Sequence, residues 1–583
     1  MTAEEIRARI IKTVSENGGH LASSLGAVEI SMALADVFDP AVDRIVWDVG
    51  HQSYAWKILT GREDSFSSLR TFGGISGFPN PAESECDAAV AGHAGVALSL
   101  AEGYAAARDM RGTNENVVAV VGDSSLVNGT CLEAINNCAT LTRKVILVLN
   151  DNGMSISKPA GSFSRFLGRL ISGVKYNRMK ASAEKAGHVL KLTFLRRLYH
   201  NLESRLKSLF LGSRFFEQFG LRYIGPVDGH NLNALKSAFT VAKEDKRSVI
   251  VHVVTKKGKG FKPAEESPTL WHGVGPFNPD LPADGAERSK SSRSWSDVFG
   301  ATLLDRAEKN PKIVALTAGM VDGTGLSVFS RRFRERFFDV GIAEGHMVAF
   351  AAGLAAGGYR PVVAVYSTFL QRAVDQVLHD VAISKLPVVF CVDRAGVVGA
   401  DGVTHQGVYD VAMMRAIPNL VICQPRDAED FEALFDEALQ RNGPTLIRYP
   451  RGAAPERIDP APERGDAKLC IVAAGDQYVK ACALGDMFSA EVIHARYLKP
   501  FDSSGIKARK AAGVKIATIE NGSVIGGLGE MLGADFKFGW PDEPIVHGDI
   551  PSLEKAYGLD VDSIAERLKK AGFTMTAKEV LNG

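Results

Sequence analysis

The stretch that most constrains the fold runs from Val117 to Ser157. A β-branched run, Val117 to Val121, ends at Gly122-Asp123, and a helix-compatible segment follows it. A second apolar run, Val145 to Leu149, ends at Asn150-Asp151-Asn152. Short apolar runs bounded by polar turn residues predict buried strands. The stretch therefore predicts a βαβ unit, in which a right-handed crossover places both strands parallel in one sheet.

Polar side chains follow both predicted strands. Asp123 and Asn152 are 29 positions apart, and each stands just past the carboxyl end of a strand, so we expect both at one edge of the sheet. A carboxylate and an amide oxygen suit Mg²⁺ or Ca²⁺. The small residues from Gly122 to Ser125 favour close approach of backbone N–H groups to a diphosphate. An ordinary βαβ turn with a polar edge fits the same pattern.

Length and composition predict a globular protein of several domains. The 583 residues are enough for about three or four domains, and 45% hydrophobic and 23% charged residues with a net charge of +1 give no indication of nucleic-acid binding. No apolar run is long enough to span a bilayer, and the first residues mix charged and apolar side chains at helical spacing. We therefore expect a cytoplasmic protein. Seven cysteines without a CxxC pair predict buried free thiols.

The order of helical and strand patterns predicts an α/β fold with three doubly wound domains. The first domain covers residues 1–293, with a linker from about residue 262, the second covers 294–452, and the third covers 453–583 and begins with a linker. In the third domain, the runs IVAAG, EVIHARYLKP, VKIATIENG and PIVHGDI are predicted strands. Its glycine-rich GSVIGGLGE segment indicates a tight turn, and we assign the domain no chemistry.

Histidines in the first domain stand in glycine-flanked loops, where function concentrates. His20 lies in GGHLASSL, His51 follows the strand-like IVWDVG, and His93 precedes an alanine-rich helix. For each one, a hydrogen-bonded structural role is the alternative to a functional one.

Residues 155–214 are strongly basic, with thirteen Lys or Arg residues against Glu184 and Glu203. A solvated helical excursion beside the active site is the interpretation that we favour, and binding to an anionic membrane or to nucleic acid is the alternative.

In the second domain, the runs IVALTAG, PVVAVYSTF, PVVFCVDRAG, NLVICQPRD and PTLIRYPRG predict strands with polar residues at their carboxyl ends. These polar residues are Tyr366, Ser367, Arg372, Arg394, Asp401, His405, Arg448 and Arg451. Arginines beside an acid and a histidine indicate a phosphate clamp, although a structural ion-pair network remains possible. Glu344 stands between an apolar strand and a helix, where it is either a helix cap or a functional acid.

Long segments resemble the 1-deoxy-D-xylulose-5-phosphate synthase family of transketolase-like thiamine-diphosphate enzymes, over nearly the whole chain. The most specific of these segments are WDVGHQSYAWKILTGR, GD with NDNGMSIS, RYIGPVDGH, FFDVGIAEGH, YSTFLQRAVDQVLHDVAISKLPVVF, DRAGVVGADGVTHQG and RYPRG. The resemblance implies a transketolase-like fold and a homodimer. It also implies thiamine diphosphate and Mg²⁺ as cofactors, with pyruvate and D-glyceraldehyde 3-phosphate as substrates.

The reaction implied by the resemblance is a decarboxylating condensation to 1-deoxy-D-xylulose 5-phosphate and CO₂. This reaction begins non-mevalonate isoprenoid precursor synthesis and feeds thiamine and pyridoxal biosynthesis. One alternative is a transketolase-type enzyme that transfers a ketol unit between sugar phosphates. A second alternative is a weakened homologue that acts as a binding or membrane-associated protein, whereas the favoured reaction involves neither nucleic acid nor membrane.

The resemblance also implies roles for single residues. The implied metal ligands are Asp123, Asn152 and the carbonyl of Met154, and the implied cofactor contacts are His51, Gly92, His93, Ala94, Ser124, Ser125, Lys257, Phe261 and Phe369. Glu344 is the implied cofactor-activating acid. Proton handling is implied for His20, His272, Asp401 and His405, and binding of the acceptor phosphate for Tyr366, Arg394 and Arg451.

Certain residues differ from those usual in the family. Ala94 replaces a serine, Phe261 a tyrosine, Gly345 a glutamine and Ser124 a glycine. Because a lost hydroxyl contact costs about 1 kcal/mol, we hypothesise a weaker affinity for thiamine diphosphate.

Overall fold

The chain divides into two compact units. The computed structural model describes residues 1–153, 211–280 and 293–576, with the backbone alone for residues 211–214. The first unit takes in the described residues of Met1–Arg70 and Gly74–Ala286, and the second those of Thr71–Gly73 and Glu287–Gly583. Within these described residues, the first unit contains one sheet and the second unit contains two.

The sheet of the first unit is parallel throughout, in the order β1-β2-β3-β5-β4. Its strands are β1 (Arg44–Trp47), β2 (Val117–Gly122), β3 (Ile146–Asp151), β4 (Arg222–Asp228) and β5 (Val249–Val254). Strands β2 and β3 are the two that the sequence predicts, and their parallel pairing is confirmed.

Helices cover both faces of this sheet. Side chains along each strand alternate between two buried clusters, one on each face. Val117, Ala119 and Val121 pack with helices Ala97–Arg111 and Gly129–Leu141, whereas Val118 and Val120 pack with Val28–Val37 and Leu232–Glu244. The predicted doubly wound architecture is thus confirmed here. Further helices are Ala3–Asn17, Leu21–Gly26, Tyr54–Lys57, Asp123–Leu126, Leu211–Gln218 and Lys262–Glu266.

The larger sheet of the second unit has the order β14-β10-β11-β9-β8-β6-β7. Its strands are β6 (Ile313–Thr317), β7 (Phe337–Asp339), β8 (Arg360–Tyr366), β9 (Val389–Asp393), β10 (Val421–Cys423), β11 (Thr445–Arg448) and β14 (Tyr497–Lys499). The strands predicted in IVALTAG, PVVAVYSTF, PVVFCVDRAG, NLVICQPRD and PTLIRYPRG are all present and parallel.

The smaller sheet of the second unit has the order β13-β12-β15-β16. Its strands are β12 (Leu469–Ala473), β13 (Glu491–His494), β15 (Lys515–Ser523) and β16 (Phe536–Trp540). All pairings in it are parallel, as the predicted α/β fold requires.

Two strand predictions for this region are wrong in detail. EVIHARYLKP does not form one strand, because the chain leaves the sheet after His494 and β14 pairs antiparallel with β10 of the larger sheet. PIVHGDI is not a strand, and the edge strand beside β15 is β16 instead.

The remaining helices of the second unit surround its two sheets. They are Trp295–Lys309, Ser327–Arg332, Glu344–Ala356, Ser367–Leu370, Val374–Gln376, Asp410–Met414, Ala428–Gln440, Tyr478–Phe488, Ser504–Ala511, Leu528–Met531, Ile550–Ala556 and Val561–Lys570. In the part of the chain that the structure describes, no helix is both long and apolar enough to cross a membrane. All seven cysteines are free thiols, and five of them are buried.

Candidate active site

Asp123 and Asn152 follow the neighbouring parallel strands β2 and β3, so their predicted placement at one sheet edge is confirmed. Asp123 is buried, and burial together with the charge of Asp151 raises its pKa to about 8. Lys257 is also buried; burial lowers its pKa to about 8, and the charge of Asp123 opposes that shift. Two acidic side chains and one amine thus interact in a site with little access to water.

Polar side chains next to this sheet edge are hydrogen-bonded to one another. Asn150 donates from Nδ2 to Oε1 of Gln52 over 2.8 Å, and the hydroxyl of Thr255 donates to Oδ1 of Asn150 over 2.6 Å. No local pattern predicts a role for Gln52, Asn150 or Thr255. Gln52 and Asn150 do stand inside motifs that carry the family resemblance, which was the available indication.

Asp48 fixes the loop that contains Gly92, His93 and Ala94. Its carboxylate accepts the backbone N–H groups of Gly95, Val96 and Ala97 at 2.9 to 3.1 Å, at the start of helix Ala97–Arg111. Burial raises the pKa of Asp48, and these hydrogen bonds, with one from Ser125, oppose the shift. No local pattern predicts this role of Asp48, although the residue stands inside the family motif WDVGHQSYAWKILTGR.

Gly95 allows this loop to approach the next helix. Its φ is +85°, and a Cβ atom at this position would lie 2.4 Å from Oδ1 of Asn128, the N-cap of helix Gly129–Leu141. A side chain at position 95 is therefore excluded both by backbone conformation and by space.

Three predicted histidines converge in the first unit. The ring centroids of His20, His51 and His272 are 5.2 to 5.9 Å apart, and Nδ1 of His272 lies 3.2 Å from the hydroxyl oxygen of Ser23. The turn that presents His51 is strained, because the β-branched Val49 has a φ of +58°. His272 thus belongs to this cluster although it lies in the segment predicted to be a linker.

Phe261 belongs to an aromatic cluster. Its ring lies 5.1 Å from that of Trp271 and 6.2 Å from that of Phe277. Ser124 and Ser125 lie in the short helix Asp123–Leu126, directly after β2. Met154 and residues 155–210 of the basic segment lie outside the described residues, so their predicted roles stay predictions.

In the second unit, Glu344 begins the helix Glu344–Ala356 and is 3% exposed. Burial raises its pKa, and Arg372, whose Nε lies 3.4 Å from Oε2 of Glu344, opposes that shift. At Gly345, a Cβ atom would lie 3.1 Å from Oε1 of Gln376. The side chain of Gln376 therefore already borders the space where the family's usual glutamine would begin.

Four of the predicted residues contact one another in sequence in the second unit. The guanidinium of Arg394 lies 3.8 Å from the centre of the Tyr366 ring, and Tyr366 stacks on Phe369 with centroids 5.9 Å apart. Phe369 in turn meets the ring of His405 edge-on at 5.6 Å. The structure thus brings together a predicted phosphate-binding pair, a predicted cofactor contact and a predicted proton carrier.

The arginines at the carboxyl end of β11 have different environments. Arg451 is about half exposed, and its Nη1 lies 3.8 Å from Oδ2 of Asp401. Arg448 is fully buried and binds Asp410, Gln424 and Asn521. For Arg448, the alternative of a structural ion-pair network is therefore the correct one.

Comparison with known proteins gives the same assignment for both units. Residues 1–255 match the 1-deoxy-D-xylulose-5-phosphate synthase family, and residues 291–456 match the transketolase pyrimidine-binding domain. The 1-deoxy-D-xylulose-5-phosphate synthase of Clostridium acetobutylicum is 43% identical over 97% of this chain and 95% of its own length.

The synthase of Syntrophotalea carbinolica is 45% identical, with 97% of this chain and 94% of its own length covered. Synthase 2 of Geobacter sulfurreducens is 43% identical, with 97% and 95% covered. The chain therefore belongs to the 1-deoxy-D-xylulose-5-phosphate synthase family, and it is a thiamine-diphosphate-dependent transferase.

Proposed function

We propose that this protein condenses pyruvate with D-glyceraldehyde 3-phosphate and releases CO₂, giving 1-deoxy-D-xylulose 5-phosphate for isoprenoid precursor synthesis. The observation that carries the proposal is the similarity to synthases of this name along 97% of the chain, at 42 to 45% identity.

The first unit would hold the diphosphate of the cofactor through Mg²⁺. Asp123 and Asn152 would bind the metal, with the carbonyl of Met154 as a third ligand. The fit is supported by the buried pair Asp123 and Asp151, because two carboxylates with little access to water are stabilised by a divalent cation. The other contacts to the cofactor would come from His51, Gly92, His93, Ala94, Ser124, Ser125, Lys257 and Phe261.

The second unit would supply Glu344 and Phe369 to the organic part of the cofactor. Burial favours the protonated form of Glu344, and a protonated carboxyl can donate a hydrogen bond to a ring nitrogen. Phe369 would stack on the cofactor's ring. When bound, thiamine diphosphate supplies the electron sink that allows pyruvate to lose CO₂.

Other residues would act on the substrates. His20 and His272 in the first unit, and Asp401 and His405 in the second, would move protons to and from substrate oxygen atoms. Tyr366, Arg394 and Arg451 would bind the phosphate of the acceptor, for which planar guanidinium groups are well suited. Support for this group comes from the contact of Arg394 with Tyr366 and from the exposure of Arg451.

The test is incubation of the purified protein with pyruvate, D-glyceraldehyde 3-phosphate, Mg²⁺ and thiamine diphosphate. We expect CO₂ and 1-deoxy-D-xylulose 5-phosphate, identified by mass spectrometry, in equal amounts. Sugar products without CO₂ would instead establish transketolase-type ketol transfer. Glu344→Gln should lower kcat by about 10²-fold or more, whereas Glu335→Gln, at an exposed position, should leave it unchanged.

The protein is also proposed to be a homodimer. The helices Ala97–Arg111 and Gly129–Leu141 expose Met110, Leu132 and Leu141, which support an apolar contact between copies. Sedimentation equilibrium should give twice the mass of the chain. A single-chain mass at micromolar concentration would reject this part of the proposal.

A further inference from the structure

The loop between β6 and helix Ser327–Arg332 touches the proposed acceptor site at one glycine. A Cβ atom built on Gly323 would lie 1.7 Å from the hydroxyl oxygen of Tyr366 and 3.0 Å from its Cζ. The same atom would lie 3.6 Å from Nη2 of Arg394. The hydroxyl of Tyr366 therefore occupies the space that any side chain at position 323 would need.

Backbone conformation does not explain this glycine. Gly319 and Gly325, in the same loop, have φ angles of +78° and +80°, in the region that favours glycine. Gly323 is not among the residues with positive φ, so alanine is permitted there as far as the backbone is concerned. The requirement for glycine at position 323 is one of space alone.

The loop has little freedom to move away from Tyr366. Two positions after Gly323, a Cβ atom at Gly325 would lie 2.2 Å from the carbonyl oxygen of Ser296 in the helix Trp295–Lys309. Thr324 binds the carbonyl of Met320, which precedes Gly323, through both its N–H, at 3.0 Å, and its hydroxyl, at 2.8 Å, so these hydrogen bonds close the loop around Gly323. The backbone of the loop is thus held against the helix Trp295–Lys309.

Tyr366 is held equally firmly. Its ring lies between Phe369 and the guanidinium of Arg394. Arg394 has a φ of +58°, and its N–H donates to Oδ1 of Asp393 over 2.7 Å. Asp393 in turn accepts a hydrogen bond from the hydroxyl of Ser296 over 2.7 Å, which ties the Tyr366 side of the contact to the helix that supports the loop.

We propose that Gly323 is a positioning residue that determines recognition of the acceptor's phosphate group. Because Gly323 has no side chain, the Tyr366 hydroxyl and the Arg394 guanidinium can lie side by side next to it. The inference rests on the proposed function, because it takes Tyr366 and Arg394 as phosphate ligands. A side chain at position 323 displaces the Tyr366 hydroxyl and leaves the binding of pyruvate unaffected.

The test compares Gly323→Ala with the unaltered enzyme on two acceptors. We expect KM for D-glyceraldehyde 3-phosphate to rise about tenfold or more, because a hydrogen bond to a charged group is lost. KM for pyruvate, and kcat/KM with unphosphorylated D-glyceraldehyde, should stay within about twofold. Gly353→Ala is the matched control, since a Cβ atom there meets nothing within 4 Å.

A double-mutant cycle with Tyr366→Phe separates the specific contact from general disruption of the loop. Removing the hydroxyl removes the 1.7 Å contact and leaves the 3.0 Å contact with Cζ. On the Tyr366→Phe background, Gly323→Ala should therefore raise KM for D-glyceraldehyde 3-phosphate by less than about threefold. The double variant also serves if Gly323→Ala alone does not fold.

The outcomes distinguish this inference from the proposed function. An unaltered enzyme that forms no 1-deoxy-D-xylulose 5-phosphate would reject the proposed function. An active enzyme in which Gly323→Ala leaves KM for D-glyceraldehyde 3-phosphate unchanged would overturn the role of Gly323 alone. The same conclusion would follow if Gly323→Ala had its full effect again on the Tyr366→Phe background.

Discussion

The guanidinium of Arg448 binds the carboxylate of Asp410 through two parallel hydrogen bonds, at 2.9 and 3.0 Å, with both side chains 1% exposed. Nη1 of Arg448 donates further to Gln424 and Asn521, each over 2.6 Å. Arg448 ends β11 and Asn521 is a buried residue of β15, so the side chain of Arg448 joins the two sheets of the second unit. Three positions further on, Arg451 has half of its side chain exposed.

Arg448→Met should therefore destabilise the second unit. Removing one partner leaves the carboxylate of Asp410 buried and uncompensated, which costs about 3–5 kcal/mol of the free energy of unfolding. Arg451→Met should instead leave the urea midpoint unchanged and raise KM for D-glyceraldehyde 3-phosphate about tenfold. Urea unfolding and steady-state kinetics of both variants measure these effects. A stable Arg448→Met variant, or an unchanged KM in Arg451→Met, would contradict the roles given to the two arginines.

Asp48→Asn should weaken both the first unit and its cofactor binding. In the unaltered protein, the N–H of Gly95 donates to both carboxylate oxygens of Asp48. Asparagine keeps one acceptor oxygen, but its NH₂ group would face the N–H of Gly95, donor against donor. We expect a loss of about 1–3 kcal/mol in the free energy of unfolding and a higher Kd for thiamine diphosphate. Urea unfolding and calorimetric titration measure these effects. Asp64→Asn, at an exposed turn, should change neither quantity.

Glu102 should make the stability of the first unit depend on pH. It is 6% exposed, its Oε1 has no hydrogen-bond partner among the described residues, and burial raises its pKa to about 7. At pH values between the ordinary pKa of a glutamate and about 7, Glu102 is deprotonated in the unfolded chain but keeps its proton in the native protein. The free energy of unfolding therefore falls as pH rises, by at most about 1.4 kcal/mol per pH unit.

Glu102→Gln removes this titration, so its stability relative to the unaltered protein should increase from pH 5 to pH 7. Urea midpoints at several pH values measure the effect. Glu133→Gln, at an exposed position on the neighbouring helix Gly129–Leu141, should follow the unaltered protein at every pH. Parallel curves for Glu102→Gln and the unaltered protein would refute the prediction.

Ala94→Ser should tighten the binding of thiamine diphosphate. Position 94 adjoins the start of helix Ala97–Arg111, and one restored hydroxyl contact is worth about 1 kcal/mol, or roughly a fivefold lower Kd. Titration of the variant with thiamine diphosphate in the presence of Mg²⁺ measures the change. Ala82→Ser, in an exposed part of the loop, should leave Kd unaltered. An equal Kd for both variants would count against a contact at position 94.

The local sequence pattern was sufficient to predict most strands and the sheet edges at which the site residues lie. The buried strands β2 and β3 are continuous apolar runs, and a parallel pairing alone brings Asp123 and Asn152 to one edge. The pattern failed at PIVHGDI because burial of Ile545 there does not depend on strand pairing. Hydrophobicity predicts that a residue is buried but not which backbone groups pair with it.

By itself, the sequence determined the α/β class and the positions of nearly all strands, and its long family motifs led to the proposed set of site residues. Only the tertiary structure decided that Arg448 is structural while Arg451 is exposed, that Asp48 holds the loop before helix Ala97–Arg111, and that Gly323 faces the Tyr366 hydroxyl. The physical reason is that these relationships join residues far apart in the chain. Their distances follow from how whole elements pack, and no local pattern records that packing.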